Sequence, residues 1–397
     1  MQTTGQISTA PLPHHTTVGG LHISVSNDLT SCQGAWQTLE NTGVATFYQT
    51  FAWCSAWNEV LAGSLRAEPL VLLAQDSNGQ IVFILPLQQR NKKRFRLIEW
   101  MTAPHASYGF GLFQRDFMQN NATQWFTENF DGLAALLPPH DAVYLRDMPA
   151  EIQGLTNPLR HLFNLKAANQ SHILKLQTDY DALLATKRSA ETRRSMRKRD
   201  NKLAALGQLV FALPAEGAES HAALTDMFRD QESRLAESGV HGIFGELERK
   251  FVHTLMDKRQ DDRAVLRPYR LSLDGKTLSV MLGGAYSGTY WALISSLAKG
   301  DIRKHSPGDH ALRAMIEALC MDGVDYLDFS PGDSAYKLHW ADNQVAMHHL
   351  IRGKNLKGMA LAVGLLAKHV AKRSAKQNPL FRQVAFALRR WTSGKSE

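Results

Sequence analysis

Two stretches of the chain share one pattern of apolar runs and turn residues. Residues 68–87 read as strand, Asn78-Gly79 turn and strand, and residues 264–283 repeat that order about Asp274-Gly275. Asx-Gly pairs supply the positive φ angles of a tight hairpin turn. The two turn glycines lie 275 − 79 = 196 residues apart, almost half of the 397-residue chain. Ahead of the first hairpin, Trp53, Trp57 and Leu61 fall at helical spacing; ahead of the second, Leu247, Phe251 and Leu255 do the same. After the first come a strand at 95–101, a helix near 123–136 and a buried strand at 142–145. After the second come a strand at 289–295, a helix near 309–321 and a strand at 325–329. Residues 171–177 read as the opening strand of the second set, and residues 345–351 alternate through Val345, Met347, His349 and Ile351 as a closing strand. The pattern predicts an α+β fold built from two tandem copies, each a mixed, mostly antiparallel sheet flanked by helices. The expected divisions are an arm at 1–20, a first unit at 21–165, a second at 170–352 and a helical tail at 353–397.

Composition adds the setting. Apolar residues at 44% and charged residues at 21% are ordinary globular usage and exclude a collagen-like, coiled-coil or mostly disordered chain. The net charge of +8 is unevenly placed. Residues 351–397 hold eleven Lys and Arg and one acid, which leaves 34 against 36 in residues 1–350. The main body therefore carries no charge excess for reading duplex DNA, and no DNA partner is expected. Cys32, Cys54 and Cys320 stand far apart and make neither a disulfide framework nor a metal clip. With no secretory pattern at the start and an apolar run of only ten residues at 358–367, a cytoplasmic protein is expected, soluble or peripheral at the inner face of the membrane.

Charge is also concentrated at 187–202, with eight basic and two acidic residues. Arg193 and Arg197, and Arg194 and Lys198, are i,i+4 neighbours that repel and need solvent or an anion. Both a solvated helix face and an anion-facing one fit.

The chemistry-bearing segment is 289–340. A strand leads through a polar loop to Ser306-Pro307-Gly308-Asp309 and a helix with Leu312, Ile316 and Leu319 on one side. Ser306 fits the N-cap, Pro307 the first helical position and Asp309 the positive helix end. Such an end serves as an ordinary cap or as an anion site. The strand 325–329 then runs into Ser330-Pro331-Gly332-Asp333-Ser334-Ala335-Tyr336-Lys337-Leu338-His339-Trp340, a carboxylate-bearing strand end beside a polar and aromatic loop. That composition fits a site rim.

The runs SPGDHALRAMIEAL and DGVDYLDFSPGDSAYKLHW resemble the CelD-type acetyltransferase domain, a branch of the GNAT superfamily similar to the FemAB-type peptidyltransferases. FYQTFAWCSAW and PHASYG in the first half extend the resemblance over about residues 21–352. It implies two GNAT-like domains and transfer of an acyl group, usually from acetyl-CoA or another acyl-CoA, to an amine or hydroxyl of a small molecule or glycan. In such proteins the strand at 289–295 offers a backbone donor to the oxyanion. Acyl transfer from a thioester needs a deprotonated nucleophile, oxyanion donors and a proton for the thiolate. On that chemistry Asp328 is expected to orient or deprotonate the acceptor, Lys337 to stabilise an anion and Tyr336 to supply a hydroxyl near the leaving group. Ser306, Pro307, Gly308, Asp309 and Ser295 would hold the donor, and Tyr108, Trp291, Asp333 and His339 the acceptor. The first copy lacks S-P-G and Y-K and is expected to be a scaffold. The usual pyrophosphate signature, Arg or Gln, two residues, Gly, one residue, Gly or Ala, is absent, and residues 306–310 stand in its place.

Structural roles compete for the same residues. Asp328 and Lys337 also fit an ion pair that holds the loop, and Tyr336 and Trp340 fit core closure. His105, Ser107 and Tyr108 fit a turn before Gly109 and Gly111 as well as a substrate loop. No histidines show metal-ligand spacing, so no metal is expected. Leu380, Val384, Leu388 and Trp391 beside Arg382, Arg389 and Arg390 fit a basic amphipathic helix, and residues 355–397 therefore bear on either an anionic membrane surface or the protein's own body. Three functions follow: acyl-CoA-dependent transferase, aminoacyl-tRNA-dependent transferase with tRNA on 187–202, and a degenerate, non-catalytic assembly factor in polysaccharide export.

Overall fold

The structure, a computed structural model, describes residues 16–237, 244–260, 263–332 and 334–377. The first half runs β1 (Thr16–Val18), β2 (Leu21–Ser26), α1 (Leu29–Thr42), α2 (Phe51–Val60), α3 (Ala62–Leu65), β3 (Ala67–Gln75), β4 (Ile81–Lys92), β5 (Phe95–Trp100), β6 (Leu112–Phe113), α4 (Arg115–Asn120), α5 (Ala122–Leu136), β7 (Ala142–Pro149), β8 (Glu151–Ile152) and β9 (Leu155–Thr156). The second runs β10 (Leu165–Lys175), α6 (Tyr180–Lys187), α7 (Ala190–Ala204), β11 (Leu209–Ala212), α8 (Ala218–Glu237), α9 (Glu246–Met256), β12 (Arg259–Gln260), β13 (Arg263–Ala264), β14 (Leu266–Leu273), β15 (Lys276–Tyr286), β16 (Thr289–Ser295), α10 (Pro307–Met321), β17 (Tyr326–Asp328), α11 (Ala335–Trp340), β18 (Asn343–Gly353) and α12 (Leu356–Gln377).

Among the described residues fourteen strands join one mixed, mostly antiparallel sheet, in the order β1-β2-β3-β4-β5-β7-β18-β10-β17-β16-β15-β14-β11, with β6 beside β4. Each half contributes a hairpin (β3–β4, β14–β15) that continues into an antiparallel third strand (β5, β16). That third strand lies parallel to a fourth (β7, β17), reached through a helix (α5, α10). The two sets face each other across β18 and β10.

The two hairpins turn differently. Asp274 and Gly275 both take positive φ, 48° and 76°, and Leu273 sits directly opposite Lys276, so this is a two-residue turn. In the first, β3 stops at Gln75, and Asp76 Oδ1 accepts from the amides of Asn78 and Gln80 while Gly79 alone takes φ +77°. The Asp76 carboxylate thus organises a longer loop than Asn78-Gly79 alone predicts. Residues 16–20, assigned from sequence to the arm, form β1 and a Gly19-Gly20 turn onto β2; residues 1–15 lie outside the described ones.

The largest core runs through both halves. Phe47, Tyr48 and Trp53 pack with Phe251, Val280 and Trp291. A Cβ on Gly284 would stand 2.2 Å from the Phe47 ring, so the missing side chain on β15 is what admits that ring. The first part of the tail is α12, which covers Tyr144, Leu165 and Ile351 with Ala362, Leu365 and Leu366. The predicted apolar positions at Leu380, Val384, Leu388 and Trp391 lie outside the described residues.

Candidate functional site

β16 and β17 pair only over Thr289–Trp291 and Tyr326–Asp328, after which they part. At that point β16 is also bulged against β15: Gly283 faces Ala292 and Leu282 faces Ile294, leaving Leu293 as the extra residue. A bulge bends a strand and takes one residue out of the pairing. Here it turns the backbone of Ala292–Ser295 toward a cavity of about 390 Å³. The start of α10 (Gly308, Asp309, Leu312, Met315) forms a second wall, Met281 on β15 a third, and Phe329, Ser330, Tyr336 and Lys337 the rim. Ser107, from the first half, completes it.

Asp328 lies beneath that rim, 1% exposed. Its carboxylate accepts from the Tyr108 hydroxyl at 2.5 Å, the Ser171 hydroxyl at 2.9 Å and the Ser330 amide at 2.6 Å. Burial pushes its pKa up, while the Tyr108, Ser330 and Ser171 hydrogen bonds and the Lys337 charge pull the other way. Burial, then the Asp328 charge, drive Tyr108 well above the ordinary phenol value. Ser330 donates to the Ala292 carbonyl at 2.6 Å, so its Oγ accepts from the Tyr48 hydroxyl at 3.1 Å. Burial pushes Tyr48 up to about 12, which keeps it a proton donor at neutral pH. The Lys337 ammonium, buried at the cavity edge, donates to the Ser330 carbonyl at 3.0 Å. Ser330 is the common point of this network. It sits at φ +63°, where the chain turns from β17 into the loop.

At the other wall, Pro307 occupies the first turn of α10 as predicted, but Ser306 does not cap the helix with its side chain. Its backbone is left-handed (φ 54°, ψ 49°), whereas a capping hydroxyl needs an extended residue to reach the amides behind it. The Ser306 carbonyl instead accepts from the Asp309 and His310 amides. Asp309 pairs with Arg313, and Arg313 and His310 both engage Asp200 of α7. Burial would raise Asp200, but the His310 and Arg313 hydrogen bonds dominate and hold it at about 2. The basic helix is thereby fixed against α10 with Met196 and Leu203 buried and Arg194, Arg197 and Lys198 exposed.

The remaining predicted positions divide. Ser295 lines the cavity, and its carbonyl accepts from Gln231 at 2.5 Å. Tyr336 is at the rim, its ring edge-on to Phe329. Tyr108 and Trp291 stand behind the cavity wall in a buried aromatic cluster, Tyr108 stacked on Tyr48 and Trp291 edge-on to both. His339 is exposed on α11 and does not line the cavity. Asp333 is outside the described residues. Tyr48, Ser171 and Ser330, which complete the network, were given no role from sequence, although Tyr48 lies within the FYQT run and Ser330 opens the rim segment. Among the described residues no group of His, Cys, Asp or Glu is arranged to hold a metal, and no helix is long and apolar enough to cross a membrane.

Residues 190–338 match the family described as Acetyltransferase (GNAT) domain. No curated protein matches the sequence. Among solved structures the fold is similar to FemX (10% identity over 83% of this chain and 98% of that one, TM-score 0.56). It is also similar to the C-terminal domain (DUF2156) of a putative lysylphosphatidylglycerol synthetase from Agrobacterium fabrum (9% identity, 85% and 95% coverage, TM-score 0.50). At such identities the likeness shows the fold, which is GNAT-like over most of the chain. The family match supports a GNAT-type domain of the acyltransferase kind within residues 190–338.

Proposed function

We propose that the protein is a CelD-type acyltransferase that moves an acyl group from acetyl-CoA or a longer acyl-CoA to an amine or hydroxyl, with a small molecule or glycan of cell-envelope or polysaccharide metabolism as acceptor. The observation that supports this most is the bulged, diverging edge of β16 facing a cavity walled by α10. A pantetheine arm is an extended chain of amides, and a strand edge without a neighbour offers it the pairing that another strand would take. The backbone around Leu293 then stands where a thioester carbonyl becomes an oxyanion. The start of α10, which no serine hydroxyl caps, presents its positive end to the diphosphate.

Asp328 works in this reading as a positioning residue. It fixes Tyr108 and the Ser330 amide, and Ser330 fixes the Ala292 carbonyl at the point of divergence. Lys337 places positive charge on the cavity rim, where it favours the developing anion. The acceptor forms its bond to the carbonyl carbon as the C–S bond breaks, and the proton it loses ends on the thiolate, with the Tyr336 hydroxyl at the rim for that transfer.

Residues 21–165 and 170–352 are read as two copies of one unit, the first a scaffold. In the first copy Trp100, buried, follows the stretch of β5 that pairs with β7, and its ring stands 2.2 Å from where a Cβ on Gly109 would be. A second reading, an aminoacyl-tRNA donor, is favoured by the exposed Arg194, Arg197 and Lys198 of α7.

Calorimetry with acetyl-CoA and with bulk tRNA separates the readings. Acetyl-CoA should bind, and Gly308→Glu should weaken it by about tenfold or more, about 1.4 kcal/mol, without lowering the melting temperature. A Cβ there meets Leu297 only at 3.5 Å, so the fold tolerates the substitution while the new carboxylate repels the diphosphate. Binding of tRNA alone would transfer the assignment to the second reading. Binding of neither would leave the non-catalytic one.

A further inference from the structure

The outward face of α12 is apolar where a surface helix is ordinarily polar. Leu356 is 85% exposed, Met359 56%, Val363 66% and Val370 53%. Ala360 and Ala367 lie between them at helical spacing and are exposed too. The opposite face is already used against Tyr144, Leu165 and Ile351. Charge borders the stripe without interrupting it: Lys357, Lys368, Lys372 and Arg373 flank it, and α12 contains no acidic residue.

The turn between β4 and β5 extends the same surface. Lys357 donates to the Arg94 carbonyl and lies 5.2 Å over the Phe95 ring, so exposed Lys92, Lys93, Arg94 and Arg96 stand beside the start of the helix. Partial burial lowers the Lys92 pKa, and Arg90 and Lys368 lower it further against the opposing pull of Glu99. The carboxylates nearby are engaged: Asp141 with the Arg96 amide, Asn355 and Lys357, Glu99 with Arg90, and Asp147 with Arg146.

We propose that this face seats on an anionic lipid surface, with the stripe from Leu356 to Val370 dipping into the interface and the Lys92–Arg96 turn and the helix lysines meeting the headgroups. The fourteen helical rises between Leu356 and Val370 give the stripe a length of about 21 Å. Apolar area and flanking cations together are what an interfacial helix needs. A second copy of the chain is the poorer occupant, since a two-fold contact would press this basic cluster against itself. So is the segment 378–397, with Arg382, Arg389, Arg390 and Lys395 against Glu397 alone; its charge instead adds to the attraction for lipid.

The test is sedimentation of the full chain with vesicles of phosphatidylcholine alone and of phosphatidylcholine with phosphatidylglycerol, at low and high salt. The protein should pellet with the anionic vesicles only, and less so in high salt. Val363→Glu with Val370→Glu, and separately Lys93→Glu with Arg94→Glu, should each reduce the bound fraction about tenfold or more. The proposal is overturned if the wild-type chain stays in the supernatant or if both variants pellet unchanged. It is equally overturned if the valine variant changes the mass by light scattering while vesicle binding persists, which would make the face a self-association surface. Should the valine variant not fold, the turn variant alone decides, because its side chains lie on an exposed turn. Acetyl-CoA affinity should be the same in all variants, so this proposal and the transferase reading fail separately.

Discussion

Ser330 joins the two sides of the site through four bonds. Its amide meets Asp328, its hydroxyl the Ala292 carbonyl and Tyr48, and its carbonyl Lys337. Asp328 has only donors around it, so an asparagine there would turn its own N–H groups toward some of them. Asp328→Asn should cost about 1–3 kcal/mol of stability by denaturant titration. If it positions β16, kcat should fall by orders of magnitude with acetyl-CoA affinity held within about twofold. Normal turnover would remove it from the mechanism. The aspartate and lysine were legible because they follow each other in one distinctive run. Tyr48 and Ser171 were not, being common residue types 282 and 157 positions from their partners.

At the scale of elements, periodicity and turn chemistry located both hairpins and the helices ahead of them, because each is a local preference. The details that failed are those set by neighbours. The Asn78-Gly79 pair is one part of a loop that Asp76 closes, and Ser306 has capping chemistry but not capping backbone. Asp274-Gly275 behaves as its sequence predicts, so Gly275→Ala, at φ +76°, should destabilise by about 1 kcal/mol. An unchanged melting curve would contradict the turn. The α7–α10 clasp has a pH signature. The Asp200 pKa is depressed to about 2 from 3.8, so its contribution is present above about pH 4 and fades as pH falls toward 2. Asp200→Asn should lower stability at pH 6 and flatten the pH dependence between 4 and 2. A variant that tracks the wild type across that window would refute the clasp.

Over the whole molecule the halves are joined by a shared sheet, by Phe47 seated against Gly284 and by hydrogen bonds from Tyr286 to the Glu40 carbonyl and from Tyr108 to Asp328. Gly284→Ala should therefore cost about 1–3 kcal/mol and leave one cooperative transition rather than two. The cavity belongs to this level as well, since Ser107 from one half and Arg234, β16 and α10 from the other enclose it. Hydrogen exchange with and without acetyl-CoA tests that enclosure as a donor site most directly. The added thioester should slow exchange at the amides of residues 292–297 and 308–312 and leave the first half's β4 and β5 unchanged. Protection elsewhere with none at β16, or no protection at saturating acetyl-CoA, would contradict the account.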